Sequence, residues 1–212
     1  LFNEFKPEIV IHLAAQAGVR FSINHPEEYI NSNLIGFFNV IENCRNHFIK
    51  NFLYASSSSV YGDSSKVPFS ESNNVDCPVS LYGATKKSNE LIAYSYSHLY
   101  KIPSIGMRFF TVYGPWGRPD MAPMIFTKAI LSGYPLKVFN NGENKRDFTY
   151  IDDVVEAIDR LIEKGIKSNQ TEMLKPEVPY QIFNIGNNKP INIIKFIETL
   201  EKEIGIKAKK DF

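Results

Sequence analysis

Phe52-Leu53-Tyr54-Ala55 is an apolar run that stops in four consecutive serines, Ser56 to Ser59. It lacks polar-apolar alternation, so it suits a strand buried on both faces, as in a parallel sheet covered by helices. The change to hydroxyls marks the strand's carboxyl end, the edge at which open α/β sheets bind ligands. Comparable runs occur at Pro7 to Ala15, Ile102 to Phe110 and Tyr180 to Ile185. Tyr29 to His47 carries Ile30, Leu34, Phe37, Phe38 and Ile41 at helical spacing, and Leu81 to Tyr100 follows a Pro-containing loop, Asp76 to Ser80, as a long helix. The expected fold is α/β with a parallel sheet.

Tyr82 and Lys86 lie four residues apart, so on a helix both project from one face. A free phenol has a pKa of about 10 and is a poor base at neutral pH. A fixed cation beside it favours the phenolate and lowers that value. Tyr82 is therefore a candidate proton acceptor. Serine runs also serve as turns and caps, and the Tyr-x-x-x-Lys spacing alone occurs in many helices. The argument rests on the two features following one another at this distance.

Composition narrows the function classes. Twenty-four basic residues against 23 acidic give no electrostatic footprint for nucleic acid or a membrane surface. No apolar run is long enough to span a bilayer, and no cleavable signal pattern is present. Cys44 and Cys77 have neither metal nor redox spacing and fit a reducing compartment. His12, His25, His47 and His98 are dispersed, so no metal is expected.

The serine run followed by Tyr82-Gly83-Ala84-Thr85-Lys86-Lys87 resembles the extended short-chain dehydrogenase/reductases, the NAD-dependent epimerases and dehydratases of nucleotide sugars. That resemblance implies a Rossmann-like sheet, NAD as cofactor, a UDP-sugar as substrate and a cytoplasmic homodimer. It implies that Ser57, Tyr82 and Lys86 are catalytic. His12-Leu13-Ala14-Ala15 would lie along the NAD pyrophosphate and ribose, so that Ala14 and Ala15 touch the cofactor. Asn33 aligns with a buried Asn near the lysine and cofactor, and Phe109 with a residue beside the nicotinamide.

The same resemblance assigns Arg20, Ser58, Ser59, Thr111, Arg118 and Arg146 to the substrate, Arg146 on its diphosphate. An ion pair with Asp147 is the alternative for Arg146. Dehydrating members carry an Asp-Glu pair where this chain has Ser58 and Ser59, so elimination of water lacks its acid and base. Trp116-Gly117-Arg118-Pro119-Asp120-Met121 is similar to the UDP-glucuronate 4-epimerases in particular. A planar guanidinium grips a carboxylate through two hydrogen bonds, which suits Arg118 to a uronate.

The expected division is a partial NAD-binding domain over 1–113 and a mainly substrate-binding domain over 114–212. Residues 148–164 and 180–186 are expected to return to the first. No Gly-rich turn opens a helix after a strand, since Gly114 and Gly117 flank Pro115 and Trp116. The chain therefore reads as a fragment cut at both ends. Ile166 to Pro179 reads as a surface loop, Pro190 to Gly205 as a Pro-started helix, and Asp152 or Asp153 as a cap or first-turn acid. The expected activity is 4-epimerisation of UDP-glucuronate to UDP-galacturonate through a 4-keto sugar. A UDP-glucose 4-epimerase, a uronate decarboxylase, a non-catalytic nucleotide-binding protein and an inactive fragment are the alternatives.

Overall fold

The structure is a computed structural model that describes residues 1–64, 66–166 and 177–212. In chain order its helices are α1 (Phe2–Phe5), α2 (Phe21–Asn24), α3 (Pro26–Tyr29), α4 (Gly36–Asn46), α5 (Leu81–Tyr100), α6 (Ala122–Ser132), α7 (Ile151–Lys164) and α8 (Ile193–Ile204). Its strands are β1 (Ile9–His12), β2 (Asn51–Ser57), β3 (Ser104–Phe109), β4 (Thr111–Tyr113), β5 (Leu136–Lys137), β6 (Lys145–Arg146), β7 (Phe148–Tyr150), β8 (Tyr180–Ile185), β9 (Ile191–Asn192) and β10 (Lys210–Asp211). Two compact units result, Leu1–Phe109 with Ala157–Ile185, and Phe110–Glu156 with Gly186–Phe212.

Among the described residues, the first unit holds a four-stranded sheet in the order β1-β2-β3-β8, parallel throughout. Its central strands are buried along almost their whole length, which explains their mainly apolar sequences. β1 departs from the expectation of a long buried strand. It covers only Ile9–His12 and lies at the end of the strand order, where Ile9, Ile11 and Leu13 are 37%, 41% and 51% exposed. The core packs Phe37, Ile41 and Cys44 of α4 against Phe52, Tyr54, Ala93, Ile102 and Tyr180. Tyr54 reaches across β3 to hydrogen-bond Tyr180, Oη to Oη at 2.7 Å. Gly106 stands opposite Tyr54 because a Cβ there would lie 2.6 Å from the Tyr54 hydroxyl.

The helix expected over 29–47 has an uneven winding. Ile30–Ile35 forms a π-helical segment between α3 and α4. Tyr29, Asn33, Phe37 and Ile41 recur every four residues, and all four are buried. Four residues overshoot one α-turn by about 40°, so three such steps would drift by about 120° and turn one end of the row outward. The wider i→i+5 turn takes more residues to close and cancels most of that drift. Asn33 is thereby carried on the buried seam, where an even helix read from its apolar residues leaves a polar side chain facing water.

In the second unit, β4 pairs in parallel with β7, β5 in parallel with β10, and β6 antiparallel with β9. Its core gathers Ile130, Leu136, Val138 and Ile197 beneath α6 and α8. The expected helix from Pro190 begins later, at Ile193, because the Asn192 side chain caps it by accepting from the Ile194 N–H at 2.8 Å. β5 stops at Lys137 and gives way to a 3₁₀ turn, Phe139–Gly142. Asp152 and Asp153 both sit in the first turn of α7, the favourable end for negative charge. Of the loop expected over 166–179, residues 167–176 lie outside the described residues.

Candidate active site

Ser57 ends β2 and begins the next turn. Its backbone is extended and its Oγ accepts the Ser59 N–H at 3.1 Å, capping the 3₁₀ turn Ser58–Tyr61. Ser57 is buried, whereas Ser58 and Ser59 are half-buried. α5 starts against this turn. Ser80 caps the helix by accepting the Gly83 N–H at 3.0 Å. Gly83 must lack a side chain here, since a Cβ would lie 2.7 Å from the Ser59 carbonyl oxygen. The backbone flanking Tyr82 is thus laid directly on the serine turn.

Tyr82 and Lys86 share one face of α5, as their spacing predicts. The Lys86 ammonium lies 6.0 Å from the centroid of the half-buried Tyr82 ring. Tyr29 meets that ring edge-on at 6.0 Å between centroids. Lys86 is 3% exposed, and its Nζ donates to the Ala55 carbonyl of β2 at 2.8 Å. Ala55 is two residues before Ser57, so this bond places the ammonium beside the carboxyl end of the strand. Burial lowers the Lys86 pKa to about 8, which leaves the amine protonated at neutral pH.

That displacement has a testable consequence for stability. From 10.5 to about 8 it represents a burial penalty of about 3 kcal/mol on the ammonium. Below pH 8 both folded and unfolded chains carry the charge, and the whole penalty is felt. Between pH 8 and 10.5 the folded state has released its proton while the unfolded state keeps it, so stability rises with pH. Lys86→Met has no charge to bury. Its stability relative to wild type should therefore fall by about 3 kcal/mol between pH 7 and pH 10.5 in urea unfolding. A constant difference across that range would contradict the assignment.

Asn33 is 1% exposed and ties two segments together. Its Oδ1 accepts the Gln16 N–H at 2.8 Å, and its Nδ2 donates to the Gln16 carbonyl at 3.0 Å and to Thr85 Oγ1 at 3.1 Å. Gln16 directly follows Ala14 and Ala15, which are exposed just past the carboxyl end of β1. One amide therefore fixes the loop after β1 to the helix bearing Tyr82 and Lys86. Desolvation and then the Lys86 charge lower the pKa of His12, whose ring packs beside Phe37 and Phe52. Phe109 closes β3 half-buried, and Arg20 stands exposed at the start of α2.

Thr111, Arg118 and Arg146 belong to the second unit. Thr111 opens β4, half-buried, and its N–H donates to the Asp147 carbonyl at 3.1 Å. Arg118 is exposed and holds Asp120 through two bonds, Nε to Oδ1 at 2.5 Å and Nη2 to Oδ2 at 3.0 Å. Arg146 is exposed in β6, opposite Ile191. The Asp147 carboxylate accepts the N–H groups of Asn187, Asn188 and Lys189 at 2.9 to 3.2 Å and so anchors the loop after β8.

A model of the NAD dependent epimerase/dehydratase family matches residues 1–186. The chain belongs to that family. It is 53% identical over 219 residues to the protein CapI of Staphylococcus aureus, covering all of this chain and 65% of that one. It is 46% identical over 207 residues to a probable UDP-glucuronate 4-epimerase of Rhizobium meliloti, covering 94% of this chain and 61% of that one. Among solved structures, the UDP-glucuronic acid 4-epimerase of Bacillus cereus in complex with UDP-glucuronic acid and NAD superposes with a TM-score of 0.86 at 35% identity. That likeness covers 100% of this chain and 63% of the other. The chain thus spans less than two thirds of the length of these relatives.

Around this candidate site lie residues that sequence reasoning did not single out. Arg108, the last residue but one of β3, and Glu90, one turn beyond Lys86 on α5, form an ion pair that is 2% exposed on both sides. A signal for it exists in the sequence. An arginine inside the apolar run Ile102 to Phe110 must find a buried partner or break the strand. No group of His, Cys, Asp or Glu among the described residues is arranged to hold a metal, and no described helix is long and apolar enough to cross a membrane.

Proposed function

We propose that this chain is the larger part of an NAD-dependent UDP-sugar 4-epimerase, acting on UDP-glucuronate to give UDP-galacturonate. The observation that carries the reading is the meeting of the serine turn with the first turns of α5, where Tyr82 and the Lys86 ammonium share one face. The family, the Rhizobium relative and the Bacillus structure support the same reading.

The residues present suit NAD. The Lys86 ammonium is buried, and among the described residues its bond to Ala55 uses one of three N–H donors, which leaves donors for a ribose hydroxyl. Small, exposed Ala14 and Ala15 leave the backbone after β1 open to close approach. Asn33, Tyr82, Lys86 and Phe109 complete the set that would hold the cofactor. When bound, NAD supplies a hydride acceptor and donor at sugar C4, with no net redox change.

The work of this chain's own residues is acid-base. Tyr82 as phenolate takes the proton of the C4 hydroxyl, and later returns it to the 4-keto oxygen. Lys86 keeps that phenolate accessible by its positive charge. Ser57 hydrogen-bonds the same sugar oxygen, with Ser58, Ser59, Thr111, Arg20 and Arg146 as substrate contacts. A cytoplasmic homodimer is the form in which we expect the enzyme to work.

Arg118 is assigned to the uronate carboxylate. Its pair with Asp120 is solvent-exposed on both sides, at 42% and 58%, so exchanging that partner costs about 1 kcal/mol or less. A 4-keto glucuronate is a β-keto acid, which loses carbon dioxide when its carboxylate aligns with the carbonyl. A two-point grip that prevents this alignment favours epimerisation. The full-length enzyme given UDP-glucuronate and NAD should yield UDP-galacturonate by NMR, and Arg118→Ala should divert product to the decarboxylated pentose. Unchanged product from Arg118→Ala would remove the carboxylate assignment, and failure of the parent enzyme to epimerise would remove the reading itself.

A further inference from the structure

The steps above leave one buried polar cluster of the first unit unused. Arg108 Nε and Nη2 donate to Glu90 Oε1 and Oε2 at 2.8 and 2.9 Å, and its Nη1 donates to Tyr61 Oη at 2.9 Å. Tyr61 Oη donates in turn to Asn184 Oδ1 of β8 at 2.7 Å. Ser56 Oγ donates to Glu90 Oε1 at 2.6 Å. The chain of bonds therefore joins α5, β2, β3, β8 and the end of the serine turn.

We propose that Glu90, Arg108 and Tyr61 are positioning residues that set the Ser57–Ser59 turn against Tyr82 and Lys86; this rests on the epimerase reading. Stability alone does not call for such a cluster, because apolar side chains of similar volume commonly serve a core as well as a buried ion pair does. Its location points to orientation. Ser56 and Ser57 project to opposite faces of β2, so pinning Ser56 on Glu90 fixes the direction taken by Ser57. Ser57 holds the near end of the turn through the Ser59 N–H, while Tyr61, the last residue of the same turn, is held at its hydroxyl from two sides. Glu90 follows Lys86 by four residues, so one rotation of α5 sets both. Lys86 contacts Ala55 and Glu90 contacts Ser56, so both hold the same strand end.

The test uses the full-length enzyme with UDP-glucuronate. Tyr61→Phe keeps the ring, which stacks on Phe69 at 4.4 Å and lies 4.9 Å from the Arg108 guanidinium, and removes only the bridging hydroxyl. We expect kcat to fall about 10-fold, with KM changed less than about 2-fold and bound NAD unchanged. Arg108→Lys, a point charge unable to span Glu90 and Tyr61 together, should reproduce that pattern. In a Ser57→Ala background, Tyr61→Phe should cost less than about 2-fold more, because it acts through a hydroxyl already removed. An equal loss in both backgrounds, or a lower melting temperature with kcat intact, would overturn the positioning role while leaving the epimerase reading in place. A Ser57→Ala enzyme with full turnover would overturn both.

Discussion

Tyr82→Phe in the full-length enzyme is expected to lower turnover of UDP-glucuronate by about 10³-fold, within the range that a positioned acid-base group contributes. The substitution removes one oxygen. The ring remains to meet Tyr29 edge-on and to face the Lys86 ammonium, so folding and bound NAD should be unchanged. KM should move by less than about 3-fold, since the lost interaction matters when the proton is in flight and little before. The measurement is single-turnover and steady-state formation of UDP-galacturonate by NMR, with NAD content determined on the same sample. A residual rate within about 10-fold of wild type would show that another group moves the C4 proton.

The second large effect is on stability. Glu90→Gln should destabilise the protein by about 3–5 kcal/mol, because it leaves a buried guanidinium facing a neutral amide. Arg108 cannot escape by losing its proton. Burial pulls its pKa down, but the Glu90 carboxylate and the Tyr61 hydroxyl more than offset this and hold it above the usual guanidinium range. Urea unfolding at pH 7 would read the loss. Replacing both partners, as Glu90→Gln with Arg108→Met, should recover at least half of it, since no charge is then stranded. A single variant costing under about 1 kcal/mol would mean that water reaches Arg108 and that the pair is not sealed.

The parts of this molecule that could be read from its sequence are those in which one local pattern decides the outcome. β2, β3 and β8 are mainly apolar runs, and α5 has a capped start, so each lies close to its expected bounds. β1 has the same kind of sequence yet half-exposed side chains, because exposure there depends on its place in the strand order, which no pattern within the strand records. The π segment was hidden for a related reason. Ile30, Leu34, Phe37, Phe38 and Ile41 satisfy an ordinary helical period, and only the burial of Asn33 reveals the wider turn. Arg108 advertised a missing partner, but Glu90 lies 18 residues away on another element, and only the packing of α5 on the sheet identifies it. Asp147 was weighed as the ion partner of Arg146, whereas its carboxylate is taken by three backbone donors of a loop about 40 residues downstream. Side-chain type announced the need for partners, and long-range packing chose them.

The wide turn at Ile30–Ile35 also sets which length changes this helix can accept. Deleting a single residue there would restore an even winding at nearly the same total rotation, since about five α-helical residues turn as far as six of the wider winding, so Phe37 and Ile41 would keep the seam. Asn33, inside the stretch, would instead be turned off the seam by roughly 40 to 60°, and its amide would lose its grip on Gln16. An insertion or deletion in this stretch would therefore be felt at the loop after β1, although it touches no residue of that loop.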